Sequence, residues 1–150
     1  MKKQYKRCVV LFGNQLFHNL EALQPDENTL FFMCEDRAMC TRFAYHKHKL
    51  MLILSAMRSF HEDVLADHDS VYFKLDDQPD LNYDAKLEQT LQTYSIPKLV
   101  LWEIPDRPLE THMREFAQNA NIELEVVPTP MFLTSRQAFR DYADSVKKPF

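Results

Sequence analysis

Short apolar runs alternate with amphipathic stretches five times along this chain. The runs are Cys8 to Phe12, Leu30 to Cys34, Val71 to Leu75, Lys98 to Trp102 and Ile122 to Val127. The second is apolar without a break, so both of its faces need cover, as in a parallel sheet between helices. Between the second and third runs lies the longest helical pattern, residues 41 to 65. Phe43, His46, Leu50, Ile53, Met57, Phe60 and Val64 recur at spacings of three and four, forming one apolar stripe. Leu54 and Leu65 widen it, and Lys47, Arg58 and Asp63 fall opposite.

The remaining elements follow from punctuation. Asn19 to Leu23 reads as a short helical piece stopped by Pro25. Tyr83 to Tyr94 reads as a helix with Leu87 and Leu91 inward and Lys86 and Glu88 outward. Pro108 suits the first turn of a helix running to about Ala120, closed by Asn121. Thr134-Ser135-Arg136-Gln137 has the form of a capping box and opens a last helix that stops before Pro149. Strands and helices that alternate this way join by right-handed crossovers into a parallel sheet. The predicted fold is a Rossmann-like α/β domain, a doubly wound five-stranded parallel sheet of order 3-2-1-4-5 with helices on both faces.

In that order the winding reverses between strands one and four, and ligands bind outside their carboxyl ends. The first run ends there at Gly13, the single glycine in 150 residues, where average usage gives roughly ten. A residue without Cβ serves φ > 0 or the close approach of another group. Three loops converge on this edge: Phe12-Gly13-Asn14-Gln15, Cys34-Glu35-Asp36 and Glu103-Ile104-Pro105-Asp106. Their amides, carboxylates and backbone N–H groups suit a planar heterocycle with hydroxyl substituents. They suit phosphate poorly, and neither a dinucleotide-binding fingerprint nor a Walker loop is present.

Composition narrows the function classes. The formal charge of −4 argues against this domain alone gripping a nucleic acid directly, although basic residues cluster at both termini and between Arg42 and Lys49. The basic lead-in from Met1 to Arg7 precedes an apolar run too short for a signal peptide, and no run is long enough to span a membrane. Cys8, Cys34 and Cys40 lack paired spacing and read as reduced thiols, giving a cytoplasmic expectation. His46 and His48 stand two apart and point differently on a helix, while His61 and His68 have no partner at ligand spacing, so no metal site is expected. Ser55 and Ser135 lack a His–acid partner, so no catalytic residue is assigned. Trp102 reads as core, with its indole also in reach of the pocket.

Three segments carry a family resemblance. Leu11-Phe12-Gly13-Asn14-Gln15-Leu16 is similar to an LGDQL-type start. Tyr45-His46-Lys47-His48-Lys49-Leu50, running on to Ser55-Ala56-Met57-Arg58-Ser59-Phe60, is similar to an HHKQK…AAMRHF helix. Pro130-Met131-Phe132-Leu133-Thr134-Ser135 is similar to a PxFLTS segment. Together they resemble the deoxyribodipyrimidine photolyase-related proteins, the bacterial (6-4) photolyase and cryptochrome-like group of iron–sulfur type. Two positions depart from that pattern. Asn14 stands where the family often has Asp, and the helix reads Tyr-His-Lys-His-Lys.

The resemblance implies that residues 1–150 are a single antenna-type N-terminal domain of a DNA repair flavoprotein family. Such a domain holds the light-harvesting chromophore 6,7-dimethyl-8-ribityllumazine, while FAD and the iron–sulfur cluster belong to a helical C-terminal domain absent from this sequence. Photochemical repair needs that FAD, so no catalysis is expected of this chain alone. By the same analogy Gly13, Asn14, Gln15, Cys34, Glu35 and Tyr45 form the chromophore pocket. Asn14 and Gln15 then hydrogen-bond ring edge or ribityl, and Tyr45 closes over it. An exposed apolar patch from the last helix and residues 128–132 is expected, docking a C-terminal photolyase domain or a second copy. Two alternatives stay open: a ligand-free structural or interaction domain, and a small enzyme on a nucleotide-like ligand using Glu35, Glu103 or Asp106.

Overall fold

Strand alternation decides which layer each residue joins. In a computed structural model describing residues 3–146, Val9, Leu11, Phe31, Met33, Val100 and Trp102 face one side of the sheet. Cys8, Val10, Leu30, Phe32, Leu99 and Leu101 face the other. The strands are β1 (Arg7–Val10), β2 (Thr29–Cys34), β3 (Ser70–Phe73), β4 (Lys98–Trp102) and β5 (Glu123–Val127). All pair in parallel in the order β3-β2-β1-β4-β5, the order expected from the sequence. Every residue of β2 is buried, as its unbroken apolar run requires. β3 and β5 are the half-exposed edges.

Five α-helices flank the sheet: α1 (Arg37–Thr41), α2 (Lys47–Asp63), α3 (Tyr83–Tyr94), α4 (Arg107–Asn119) and α5 (Arg136–Ser145). α2 covers the Val9 face through Met57 and Phe60, with Leu65 just beyond it. α3 and α4 cover the other face through Leu87, Leu91, Met113 and Ala117. α3 begins where the Asn82 side chain accepts from Ala85 N–H, and α4 where Asp106 accepts from Leu109 N–H. α5 buries no side chain. Its tie to the body is Arg136, which meets Glu103 at 3.2 Å and Glu110 at 2.7 Å and donates to the Ile104 carbonyl.

Several elements differ from the sequence expectation. The long helix begins at Lys47 rather than at residue 41 and ends at Asp63, and α1 is a separate short helix before it that the sequence pattern did not suggest. Asp36 caps α1, the chain leaves helical geometry from Arg42 to Tyr45, and His46 restarts it by accepting from His48 N–H through Nδ1 at 3.2 Å. Phe43 therefore leaves the apolar stripe and stands 60% exposed. Arg58 is not on a purely solvated face, since it reaches Glu35. Lys86 does not point outward. It is 2% exposed, with its ammonium 5.6 Å from the Phe73 ring centre, so stem and head are both covered and the ring face meets the charge. The capping box does not form: Ser135 caps α5 on Ala138 N–H, while Gln137 turns to Asp141. Residues 19–23 give only a 3-10 turn, Glu21–Leu23. Met1, Lys2 and Pro149 lie outside the described residues.

Gly13 is needed for space. Its φ is not positive; the turns that need the left-handed region use Gln24, Gln78, Ser95 and Asn121 instead, at φ of 47°, 49°, 52° and 53°. A Cβ on Gly13 would sit 2.9 Å from Met57 Sδ and 3.0 Å from Ile53 Cγ2. The glycine lets the end of β1 press against α2.

Candidate functional site

A cleft of about 350 Å³ opens at the carboxyl ends of β1 and β2, beside the point where the winding reverses. Gly13 and Asn14 form its lip on the β1 side, and Cys34, Glu35 and Asp36 on the β2 side. Met39 and Cys40 of α1 close one end. Tyr45 stands at the mouth with Lys49, whose ammonium is 4.9 Å from the Tyr45 ring centre. The far wall is the inner face of α2: Leu50, Ile53, Leu54 and Met57. Five of the six residues expected in a pocket thus line one cleft.

Gln15 is the exception. It is 1% exposed and does not line the cleft. Its Nε2 donates to the Glu103 carbonyl at 3.0 Å, tying the β1 loop to the β4 loop, and its Oε1 has no partner among the described residues. The third loop stays out as well. Glu103 pairs with Arg136, Ile104 is buried, and Asp106 caps α4. Leu109 of α4 reaches the cleft in its place. Trp102 is core, packed edge-on to Phe17 at 5.7 Å between ring centres.

Glu35 dominates the electrostatics. Its side chain is fully covered. Oε1 accepts from Arg58 Nε at 2.7 Å and from the Tyr72 hydroxyl; Oε2 accepts from the second Arg58 nitrogen at 2.8 Å and from Leu75 N–H at 3.0 Å. Burial raises the carboxyl pKa, but the four donors outweigh it and hold the group below its ordinary value. Burial raises the Tyr72 hydroxyl and the Cys34 thiol, the thiol to about 12, so both stay protonated at neutral pH. Glu35 is a saturated anchor joining β2, β3 and α2. A carboxylate with all its lone pairs engaged is not free to act as a base on a ligand.

Sequence reasoning missed Arg58 and Tyr72 as parts of this site. A signal existed for Arg58, since it lies four residues from Leu54 and three from His61 and so borders the buried stripe of α2. No signal tied Tyr72 to Glu35, because 37 residues separate them. Sequence also missed a second cavity of about 490 Å³ that shares Asp36, Met39 and Leu109 with the cleft. Its far side holds a His112–Asp84 pair at 2.9 Å. Among the described residues no cluster of His, Cys, Asp and Glu could hold a metal ion, and no helix is long and apolar enough to cross a membrane.

Comparison with known proteins agrees with the three sequence segments. A (6-4) photolyase of Agrobacterium fabrum (strain C58 / ATCC 33970) is 24% identical over 141 residues, which is 91% of this chain and 28% of that protein. The chain therefore spans under a third of the length of the curated relative it matches. The family described as deoxyribodipyrimidine photo-lyase-related protein matches residues 9–150, nearly the whole sequence, and the chain belongs to that family.

Proposed function

We propose that this domain holds a planar light-absorbing chromophore in the β1–β2–α2 cleft, and that the chromophore is a ribityl-lumazine. The observation that carries the reading is the cleft itself. Its volume suits a small heterocycle. One wall is aliphatic and thioether side chain, fit for a ring face, and the opposite lip presents Asn14 and the turn after β1 to a polar edge. The fit is better for a neutral ring than for one needing a carboxylate, because Glu35 is already satisfied. Asn14, Tyr45 and Lys49 are the polar groups that would hold the ligand, with Ile53 and Met57 against its face. When bound, the lumazine supplies absorption of near-visible light. Excitation would pass to a repair flavin elsewhere in a photolyase-like protein, so the domain's part in DNA repair is light harvesting. The exposed row Phe132, Leu133, Phe139 and Tyr142 would face the flavin-bearing part.

The test is reconstitution. Purified protein is mixed with 6,7-dimethyl-8-ribityllumazine, and with FAD in parallel. After desalting, absorption and mass spectrometry report what stays bound. Retained lumazine, lost on Ile53→Trp or Asn14→Ala, supports the reading. Failure to retain either compound, from the purified protein or after mixing, overturns it and leaves a structural domain with this fold.

A further inference from the structure

Charge is segregated along this chain. Five of the eighteen Lys and Arg residues, and none of the twenty-two Asp and Glu residues, fall between Arg37 and His61; the remainder of the chain therefore carries −9. The net charge of −4 hides a cationic face. Two of the five cations are engaged, Arg37 by Asp76 and Arg58 by Glu35. Arg42, Lys47 and Lys49 form no ion pair among the described residues, and all three are exposed. Lys47 and Lys49 also sit in the first turn of α2, where the helix dipole disfavours positive charge and no acidic residue compensates.

Rings are interleaved with these cations. Phe43 is 60% exposed, with Arg42 5.5 Å from its ring centre. Tyr45 stands edge-on to Phe43 at 5.7 Å, and the exposed His46 and His48 rings lie 4.8 Å apart. Burying a phenylalanine gains free energy, so one left open to water in a gap between two helices contributes nothing to the core. A cationic strip carrying open aromatic faces is the chemistry that binds unpaired nucleic acid: cations track the phosphates and bases stack on rings.

We infer that the α1–α2 connection, Arg42 to Lys49, is a binding strip for single-stranded nucleic acid. A duplex fits less well, because its bases are already stacked and not open to Phe43. An anionic membrane fits less well too. The outward apolar surface of α2 is Met51, Leu52 and the small Ala56, interrupted by Ser55 and Ser59, too narrow for a helix lying in lipid. The strip borders the chromophore cleft through Tyr45 and Lys49, but the substituted residues Arg42, Phe43 and Lys47 do not line that cleft, so failure of one reading is distinguishable from failure of the other.

The experiment is fluorescence anisotropy of a labelled oligothymidylate titrated with the full chain over a range of salt concentrations. Binding should weaken with salt. Arg42→Ala combined with Lys47→Ala leaves two phosphates without a cation. The slope of log affinity against log salt should then fall by about 1.4, at roughly 0.7 for each phosphate. Phe43→Ala should weaken binding by about tenfold and leave that slope unchanged. Circular dichroism checks that each variant folds, and lumazine retention should be the same in all of them. No binding at low salt overturns the inference, as does Phe43→Ala binding like the parent. Phosphatidylserine vesicles bound in preference to the oligonucleotide would also overturn it.

Discussion

Replacing Glu35 by Gln keeps the shape of the side chain and removes its charge. One carboxylate oxygen becomes an NH₂ group, and it must face either the Arg58–Tyr72 pair of donors or the Arg58–Leu75 pair. Donors then oppose donors. Each hydrogen bond to a charged group contributes about 1.5–3 kcal/mol net, and an orphaned buried donor costs about 1–3 kcal/mol. These do not add in full. Arg58 is 45% exposed, so water takes up its freed nitrogens, and the loss falls mainly on Tyr72 and Leu75. The expected destabilisation is about 2–4 kcal/mol. At a few degrees per kcal/mol for a chain of this size, Tm should fall by about 6–12 °C at neutral pH.

Acid provides an independent check. The folded carboxyl lies below its ordinary 4.5, so its contribution is complete above that value and disappears as pH falls through the lower, folded one. The Tm gap between parent and Glu35→Gln should stay constant from pH 7 to about 5, then narrow as the pH drops below 4.5. The assay is thermal denaturation followed by circular dichroism across that range. A fall smaller than about 2 °C at pH 7 would refute the role of Glu35 as an anchor. Unchanged stability with lost lumazine retention would instead make Glu35 a ligand-binding residue.

Three further perturbations test other parts of the argument. Gly13→Ala should cost about 1–2 kcal/mol by overpacking, since Met57 and Ile53 must give way to the new methyl; they line the cleft, so lumazine retention should fall with Tm. Ser95→Gly should raise stability by about 0.5–1 kcal/mol in urea denaturation, because Ser95 ends α3 at φ 52° and ψ 49°, where a side chain is strained. Arg136→Ala should release α5, seen as faster amide hydrogen exchange from residues 136–145 with little change in global Tm, because α5 buries no side chain of its own. In the parent, acid should do the same: the Arg114 and Arg136 guanidiniums outweigh burial and hold Glu110 below its ordinary value, so this tie is lost as pH falls through that lowered pKa.

The sheet was legible because burial on both faces writes β2 as an unbroken apolar run, and alternation with helices makes the strands parallel; their order matches one of the common doubly wound arrangements. The non-helical connection before α2, Arg42 to His46, was not legible. Phe43 and His46 keep the stripe's period across it, and period cannot tell a helical turn from a connection that happens to match it. The capping action of His46 is a local competition that hydropathy does not register. Lys86 was misplaced for a related reason: a long stem can be buried on a position whose charge suggests solvent. Loop position brought five of six proposed pocket residues to one cleft. It could not show that Gln15 turns to Glu103, because that depends on side-chain direction at the end of one strand.

Two features at the lip of the cleft set its width. Gly13 removes a Cβ where β1 meets α2, so Ile53 and Met57 can approach the strand end. The Glu35–Arg58 pair fixes α2 to the end of β2, and Tyr72 and Leu75 N–H hold the same carboxylate from the β3 side. One device permits closeness and the other holds the helix where closeness puts it. If both act on the same wall, Gly13→Ala and Glu35→Gln should not be independent. Once the anchor is cut, α2 can move away from the new methyl, so the double variant should lose less stability than the two single losses together. Strict additivity within about 0.5 kcal/mol would mean that the glycine and the carboxylate shape the cleft separately.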